Sequence, residues 1–391
     1  MQFAQRLEPL RSNIFADMDN ALAKAKAKGL DSINLFLGSS DLPSPSHVIE
    51  AIAESLQDTQ THGYLLFHGT REFRQTAADW YEKRYGIPVD PETEVLQLIG
   101  SQEGTAHLPL AILNPGDFAL LMDPGYPSHM GGVYLAGGQI YPMPLRAENG
   151  FLPVFEDIPS AVLEQARMMV LSYPHNPTSA TAPLSFFQKA VQFCQSHDLV
   201  LAHDFPYADL VFGDRSVAPS VLMADREKTV SIEFFSMSKS YNLGGFRVGF
   251  AIGNPELILA LRQVKATIDF NQYRGIVNGA IAALSGSQDC VKSTVETFRK
   301  RRDALVSALN RIGWQVPLPE ASMYVWAKLP PPWQQDSIGF CTNLVLNTGV
   351  AIAPGAGFGK AGEGYVRFAL VREPQILAAA VEKIGAFLSE K

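Results

Sequence analysis

The sequence predicts an α/β fold in which a large domain, built on a mostly parallel sheet with helices on both faces, carries a smaller α+β domain. Three observations lead there. The chain has 391 residues, more than one hydrophobic core usually supports, so two packed units are expected. Between residues 94 and 252 short apolar runs alternate with amphipathic stretches, the pattern of strands and covering helices in a parallel sheet. Beyond residue 292 the pattern changes to one long charged helix followed by further strand-like runs.

Taken in order, residues 15–28 carry an amphipathic helical pattern, and SINLFLGSSDLPSP then reads as a strand running into a Pro/Ser-rich turn. This N-terminal stretch is expected to pack with the smaller domain, and the turn to close over the site. VLQLI, FALLM, MMVLS, LVLAH, TVSIEFF and FRVGFAI read as strands of the large sheet, with LSFFQKAVQFCQ as a helix among them. Residues 292–311 form the charged helix; WQVPLP, MYVWAKL, VAIAP and YVRFAL read as strands, with a helix at 340–347. The expected boundaries are 1–45 for an N-terminal segment packing with the small domain, 46–285 for the large domain and 286–391 for the small one. No repeat or flexible linker separates these units, so they are expected to pack firmly.

Composition narrows the function classes. A chain that is 47% hydrophobic and 18% charged, with a formal charge of −7, has no electrostatic footprint for nucleic acid. The three cysteines, Cys194, Cys290 and Cys341, are odd in number and widely spaced, which fits neither a disulfide framework nor a zinc site and predicts a reducing, cytoplasmic setting. The N-terminus lacks the basic start and apolar stretch of a secretory signal. No run approaches the ~18 apolar residues of a membrane span.

In parallel α/β sheets, ligands bind beyond the carboxyl ends of the strands. Three strand ends are rich in polar residues: YPHNPT after MMVLS, Asp204 and Tyr207 after LVLAH, and Ser236, Ser238 and Lys239 after TVSIEFF. A lysine in a dry pocket or beside other cations loses its proton readily and becomes an amine nucleophile toward aldehydes. Arg247, past the NLGG turn, could join Ser236 and Ser238 in gripping a phosphate. Asp204 lies in the apolar stretch LVLAHDFPYADLVF and needs a partner, because an unpaired buried carboxylate is very costly. A protonated pyridine nitrogen would serve, and the carboxylate would keep such a ring an electron sink.

The string SMSKSYNLGGFRVG resembles the cofactor-lysine motif of class I/II aminotransferases of pyridoxal-phosphate (PLP) fold type I, and neighbouring motifs follow in family order from LGSSD to YVRFAL. The resemblance implies a seven-stranded, mostly parallel sheet and PLP as cofactor, held by Lys239 in a Schiff base. It further implies that Asp204 faces the ring nitrogen, that Asn176 and Tyr207 bond the phenolic oxygen, and that Tyr126 stacks on the ring. Ser101 and Gln102 would offer backbone N–H groups to the phosphate at a helix N-terminus, joined by Ser236, Ser238 and Arg247. Arg367 would bind the substrate α-carboxylate in a bidentate pair, and Gly38 would lie against the substrate. Tyr64 would reach the phosphate of a neighbouring subunit, which implies a homodimer with shared sites.

Among these enzymes the chain is most similar to LL-diaminopimelate aminotransferases, through IGSQEGTAHLPLAILNPGDFALLMDPGYPSH, ASMYVW and GFGKAGEGYVRFAL. It departs from that subgroup at His68, where a glutamate suited to a distal ammonium is usual, and at Gln102, where lysine is common. Arg274, in IDFNQYRGIVNG, could receive a distal carboxylate. The expected reaction is therefore ping-pong amino transfer between a 2-oxo acid and a small polar amino acid such as aspartate, glutamate or alanine. LL-diaminopimelate transfer is the alternative, together with a carbon–sulfur lyase on the same fold. A non-enzymatic ligand sensor is a further rival, disfavoured because every catalytic position is filled. Gly357, Gly359 and Gly362 spell G-x-G-x-x-G, but a strand-like run rather than a helix follows, so they are read as a turn. Ala361 after Lys360 excludes a P-loop as well.

Overall fold

Runs rich in Val, Leu, Ile and Phe fold as strands because their side chains are buried on both faces of a covered sheet. The computed structural model describes residues 1, 3–10, 14–213, 217–331 and 333–389. Its strands are β1 (Ile33–Asn34), β2 (Val95–Leu98), β3 (Phe118–Asp123), β4 (Gln139–Pro144), β5 (Ala166–Leu171), β6 (Val200–Asp204), β7 (Ser231–Ser236), β8 (Gly249–Gly253), β9 (Tyr324–Lys328), β10 (Val350–Ala351), β11 (Ala353–Pro354) and β12 (Tyr365–Ala369).

The large sheet has seven strands in the order β2-β8-β7-β6-β5-β3-β4. Strand β8 runs antiparallel to both of its neighbours, and every other pair is parallel. Six of these strands stand where apolar runs were expected. The seventh, β4, has the sequence QIYPMP and no such run. Its two prolines cost it ladder donors, which an edge strand paired only with β3 tolerates.

A second core gathers around the three-stranded antiparallel sheet β11-β12-β9 and the parallel pair β1-β10. Met18, Leu22 and Leu35 from the N-terminal segment share it with Phe298, Trp314, Phe340 and Phe368. The first helix, Ile14–Ala27, and the long charged helix, Asp289–Arg311, form close to their expected places. WQVPLP does not form a strand. Pro317 and Pro319 remove the donors a ladder would need, and Trp314 is instead held by Nε1 donating to the Lys328 carbonyl at 2.7 Å. VAIAP divides between two sheets: Val350 and Ala351 pair with β1, whereas Ala353 and Pro354 pair with β12. The glycines of the G-x-G-x-x-G string lie in the short turns Gly355–Phe358 and Lys360–Gly362 and the residues joining them, between β11 and β12. They link strands, as expected.

The helix Ser101–Ile112 follows β2 directly, so its N-terminus opens at the same edge as the carboxyl ends of β5, β6 and β7. A buried ion pair holds it there. Lys265 is fully buried and donates to both oxygens of Glu103, at 2.8 and 3.0 Å, while Glu103 also accepts the Ile99 N–H. Burial pushes the Glu103 carboxyl up to about 7, against the pull of Lys265. No helix among the described residues is long and apolar enough to cross a membrane. Removing one partner of such a pair strands a buried charge, so Lys265→Met should lower unfolding stability by about 3–5 kcal/mol, read by chemical denaturation. A loss below about 1 kcal/mol would show that the pair does not anchor this helix.

Candidate active site

One cavity of about 290 Å³ opens at the carboxyl ends of the parallel strands. Its lining draws Asn176 from the loop after β5, Asp204 and Tyr207 from the end of β6 and its turn, and Ser236, Ser238 and Lys239 from the end of β7. Ser101 and Gln102 contribute from the helix start after β2, Tyr126 from the loop after β3, Arg247 from the segment before β8. Gly38 comes from the N-terminal segment and Arg367 from β12. Residues scattered over more than three hundred positions thus share one cavity because parallel strands place all their carboxyl ends at one edge.

The contacts divide the cavity into four parts. At the amine, Lys239 Nζ donates to the Gly38 carbonyl at 2.6 Å. Burial lowers the pKa of Lys239 and the cations of Arg367 and Arg247 lower it further, while Tyr324 and Asp204 pull the other way. At the floor, Asp204 is 5% exposed; its Oδ2 meets His129 Nε2 at 3.0 Å, while its Oδ1 is buried without a hydrogen-bond partner. An unpartnered carboxylate oxygen facing a cavity is costly unless a donor arrives there. At the end nearest β12, Arg367 Nη1 donates to Asn176 Oδ1 at 2.7 Å and Nη2 to the Phe36 carbonyl at 2.6 Å.

The opposite end is suited to an anion. Ser101 opens its helix with free backbone donors, and Ser236 Oγ caps the short helix Met237–Ser240 by accepting from the Ser238 N–H at 3.2 Å. Gly100 is obligatory there. Its φ is +77°, and a Cβ would stand 2.6 Å from Arg247 Nη2, so only glycine lets the guanidinium reach the helix start.

Two cavity neighbours were not assigned roles from sequence. His129 lies in DPGYPSH, yet nothing local indicates a partner 75 residues away. Tyr324, in ASMYVW, places its hydroxyl 2.9 Å from that of Tyr207; a tyrosine at the head of an apolar strand reads as core. FPYADLV after Asp204 could have started a helix, but it forms a turn. Tyr64, His68 and Arg274 do not line this cavity. Tyr64 is 92% exposed, His68 lines a separate cavity with Arg74 and Arg262, and Arg274 packs beside Gly69. Cys194 and Cys341 are buried and Cys290 partly so, all as free thiols, and burial raises the pKa of each.

Residues 31–384 match the family model for aminotransferase class I and II. The LL-diaminopimelate aminotransferase of Dehalococcoides mccartyi is 42% identical over 391 residues, the whole of both chains. That of Moorella thermoacetica is 42% identical over 100% of this chain and 99% of its own. Of solved structures, a probable N-succinyldiaminopimelate aminotransferase from Thermus thermophilus aligns with a TM-score of 0.91 and 41% identity, covering 95% of this chain and 99% of that one. Substrate-bound BacF from Bacillus subtilis aligns with a TM-score of 0.92 and 35% identity, over 99% and 98%. Family match, full-length relatives and the doubly flanked parallel sheet agree: the chain belongs to the class I and II aminotransferases, PLP-dependent transaminases of fold type I.

Proposed function

We propose that this aminotransferase takes LL-diaminopimelate, or a close derivative of that diamino dicarboxylate, as its amino donor and passes the amino group to a 2-oxo acid. The observation that carries the reading is full-length identity of about two-fifths with relatives of that name. It supports the alternative drawn from sequence over the aspartate, glutamate or alanine expected there. One observation keeps that earlier reading in play. Among the described residues, the cavity of one chain offers a single carboxylate, Asp204, and His129 already engages it. A distal ammonium therefore needs a partner from a second copy, and so does the homodimer reading of Tyr64. His68 and Arg274 are assigned to that second copy as well, facing the distal end of the donor.

The residues present fit the cofactor. When bound, PLP supplies an aldehyde that bonds amines and a ring that draws electrons from the carbon being deprotonated. Asp204 Oδ1, buried and unpartnered, would receive the ring N–H, with His129 orienting the carboxylate from its other oxygen. Asn176 and Tyr207 would bond the phenolic oxygen, and Tyr126 would stack on the ring. Ser101, Gln102, Ser236, Ser238 and Arg247 would seat the phosphate.

Lys239 does the proton work. Burial favours its neutral amine, so it can bond an aldehyde and, once displaced by the donor's amine, accept the proton from the donor's α-carbon and return it to a neighbouring atom. Arg367 binds the donor's α-carboxylate through its planar fork, and Gly38 keeps the wall beside Lys239 thin. The product 2-oxo acid leaves before the second one binds, which requires ping-pong kinetics.

Three measurements follow. Lys239→Ala should reduce turnover by at least the ~10²–10⁴-fold of general acid–base work, yet still co-elute with PLP bound noncovalently through Asp204 and Arg247; turnover near wild type would remove Lys239 from the mechanism. Arg367→Lys should raise KM for the donor at least tenfold, because a point charge cannot replace the bidentate fork, and an unchanged KM would place the carboxylate elsewhere. In a donor panel with 2-oxoglutarate, LL-diaminopimelate should give the highest kcat/KM by glutamate release. Aspartate or alanine in first place would reinstate the small-donor reading, and pyruvate with ammonia from cystathionine would indicate a lyase.

A further inference from the structure

Tyr324 heads β9 and is 2% exposed, which by itself marks a core residue. Its contacts are not those of mere packing. Its hydroxyl lies 2.9 Å from the Tyr207 hydroxyl, and the two rings meet edge to face at 5.7 Å. Arg367 Cζ lies 4.2 Å from the centre of the Tyr324 ring. On its third side the hydroxyl touches the N-terminal segment so closely that a Cβ on Gly38 would fall 2.0 Å from it. The carbonyl of that same glycine accepts the Lys239 amine at 2.6 Å. One side chain thus adjoins the phenol, the guanidinium and the backbone that holds the amine.

We infer that Tyr324 is a positioning residue with two separable parts: its hydroxyl, donating to Tyr207, strengthens Tyr207 as a donor to the cofactor's phenolic oxygen, and its ring holds Arg367 flat for the substrate carboxylate. The inference rests on the reading that Tyr207 faces that oxygen. Among the described residues the Tyr207 hydroxyl has no other hydrogen-bond partner, so if Tyr324 donates to it, the Tyr207 proton is left for the cavity. A phenol that accepts one hydrogen bond donates the next more strongly, because the chain is polarised along its length.

The groups that face this pair are Lys239 after β7, Arg367 on β12 and Tyr126 at the start of its helix, with Asp204 on β6 facing Lys239 and Tyr126 in turn. Burial raises both phenols, but the Arg367 guanidinium beside Tyr324 works against it there, and Tyr324 is held below an ordinary phenol. Tyr207 stays well above. A phenol carries one proton, so a Tyr207 that gives its proton to the cofactor's phenolic oxygen must accept from Tyr324 across the 2.9 Å contact, which sets the direction.

The test uses the holoenzyme, with the pH titration of the cofactor's visible absorbance read beside steady-state kinetics. Hydrogen bonding to an anionic oxygen favours its charged form, so a weaker donor raises the pH at which the neighbouring proton leaves. Tyr324→Phe keeps the ring and loses the hydroxyl; it should raise the absorbance midpoint by about half to one pH unit and leave KM for the donor within about twofold. Tyr324→Leu should show the same shift and, with the platform gone, a KM raised about tenfold. A wild-type midpoint in the Phe variant overturns the hydroxyl's part, and an unchanged KM in the Leu variant overturns the ring's part. Tyr207→Phe separates this from the reading beneath it: a midpoint unmoved there removes Tyr207 from the phenolic oxygen and takes the inference with it.

Discussion

The site depends on one guanidinium. Arg367 reaches from β12 to Asn176 in the loop after β5 and to the Phe36 carbonyl in the N-terminal segment, so three distant stretches of chain meet on it. It is 3% exposed, and a buried arginine is tolerable only when its donors are matched by acceptors. Its Nε still has no partner, which leaves a cation short of acceptors beside an open cavity. That shortfall is the electrostatic basis of the carboxylate-binding role proposed for Arg367.

The segment that covers the cavity is secured on both sides. Asp41 accepts from the buried Arg301 at 2.6 and 3.0 Å, tying it to the smaller core, and Arg301 also donates to Glu373. Ser40 Oγ donates to Asn242 Oδ1 at 2.7 Å and Ser44 Oγ to the Asn242 carbonyl at 2.9 Å, tying it to the turn that follows Lys239. Gly38 lies within this tethered stretch, so the carbonyl that receives the Lys239 amine is positioned from two directions. Beneath the sheet, His203 and Glu233 are fully buried and 2.7 Å apart. His203 Nε2 accepts the Tyr173 N–H, so its proton sits on Nδ1 and is donated to Glu233. Glu233 takes two further donors, Val221 N–H and Ser220 Oγ. This satisfied network supports the loop that presents Asn176.

What could be read from sequence was whatever has a local signature. Strands buried on both faces announce themselves as continuous apolar runs, which is why β2, β3 and β5 to β8 were legible and the proline-bearing edge strand β4 was not. The amine, the proposed phosphate seat and Asp204 lie at strand ends, and strand ends can be located without knowing the fold. His129 and Tyr324 could not be found this way, because what makes them part of the site is a partner 75 and 117 residues away. WQVPLP misled for the opposite reason: Trp314 and Val316 are indeed buried, but its prolines deny the ladder that burial alone would suggest.

The division between chemistry and selectivity follows from the same geometry. Every group of this chain's own cavity that is proposed to hold the cofactor comes from a strand end or a segment next to one, and such positions are held by the sheet itself. The residues assigned to the distal end of the donor are built differently. Asn271 Nδ2 donates to the Leu65 carbonyl at 3.0 Å, Phe67 packs edge to face on Phe270 at 5.1 Å, and Arg274 lies against Gly69. Residues 64–70 and 270–274 therefore behave as one bonded surface unit, outside this chain's own cavity, with Tyr64 projecting from it. A unit of that kind can change its charge without disturbing Lys239, Asp204 or Arg367. Histidine at position 68 lies outside the cavity that holds Lys239, Asp204 and Arg367, so the distal role proposed for it draws on side chains that different elements hold in place.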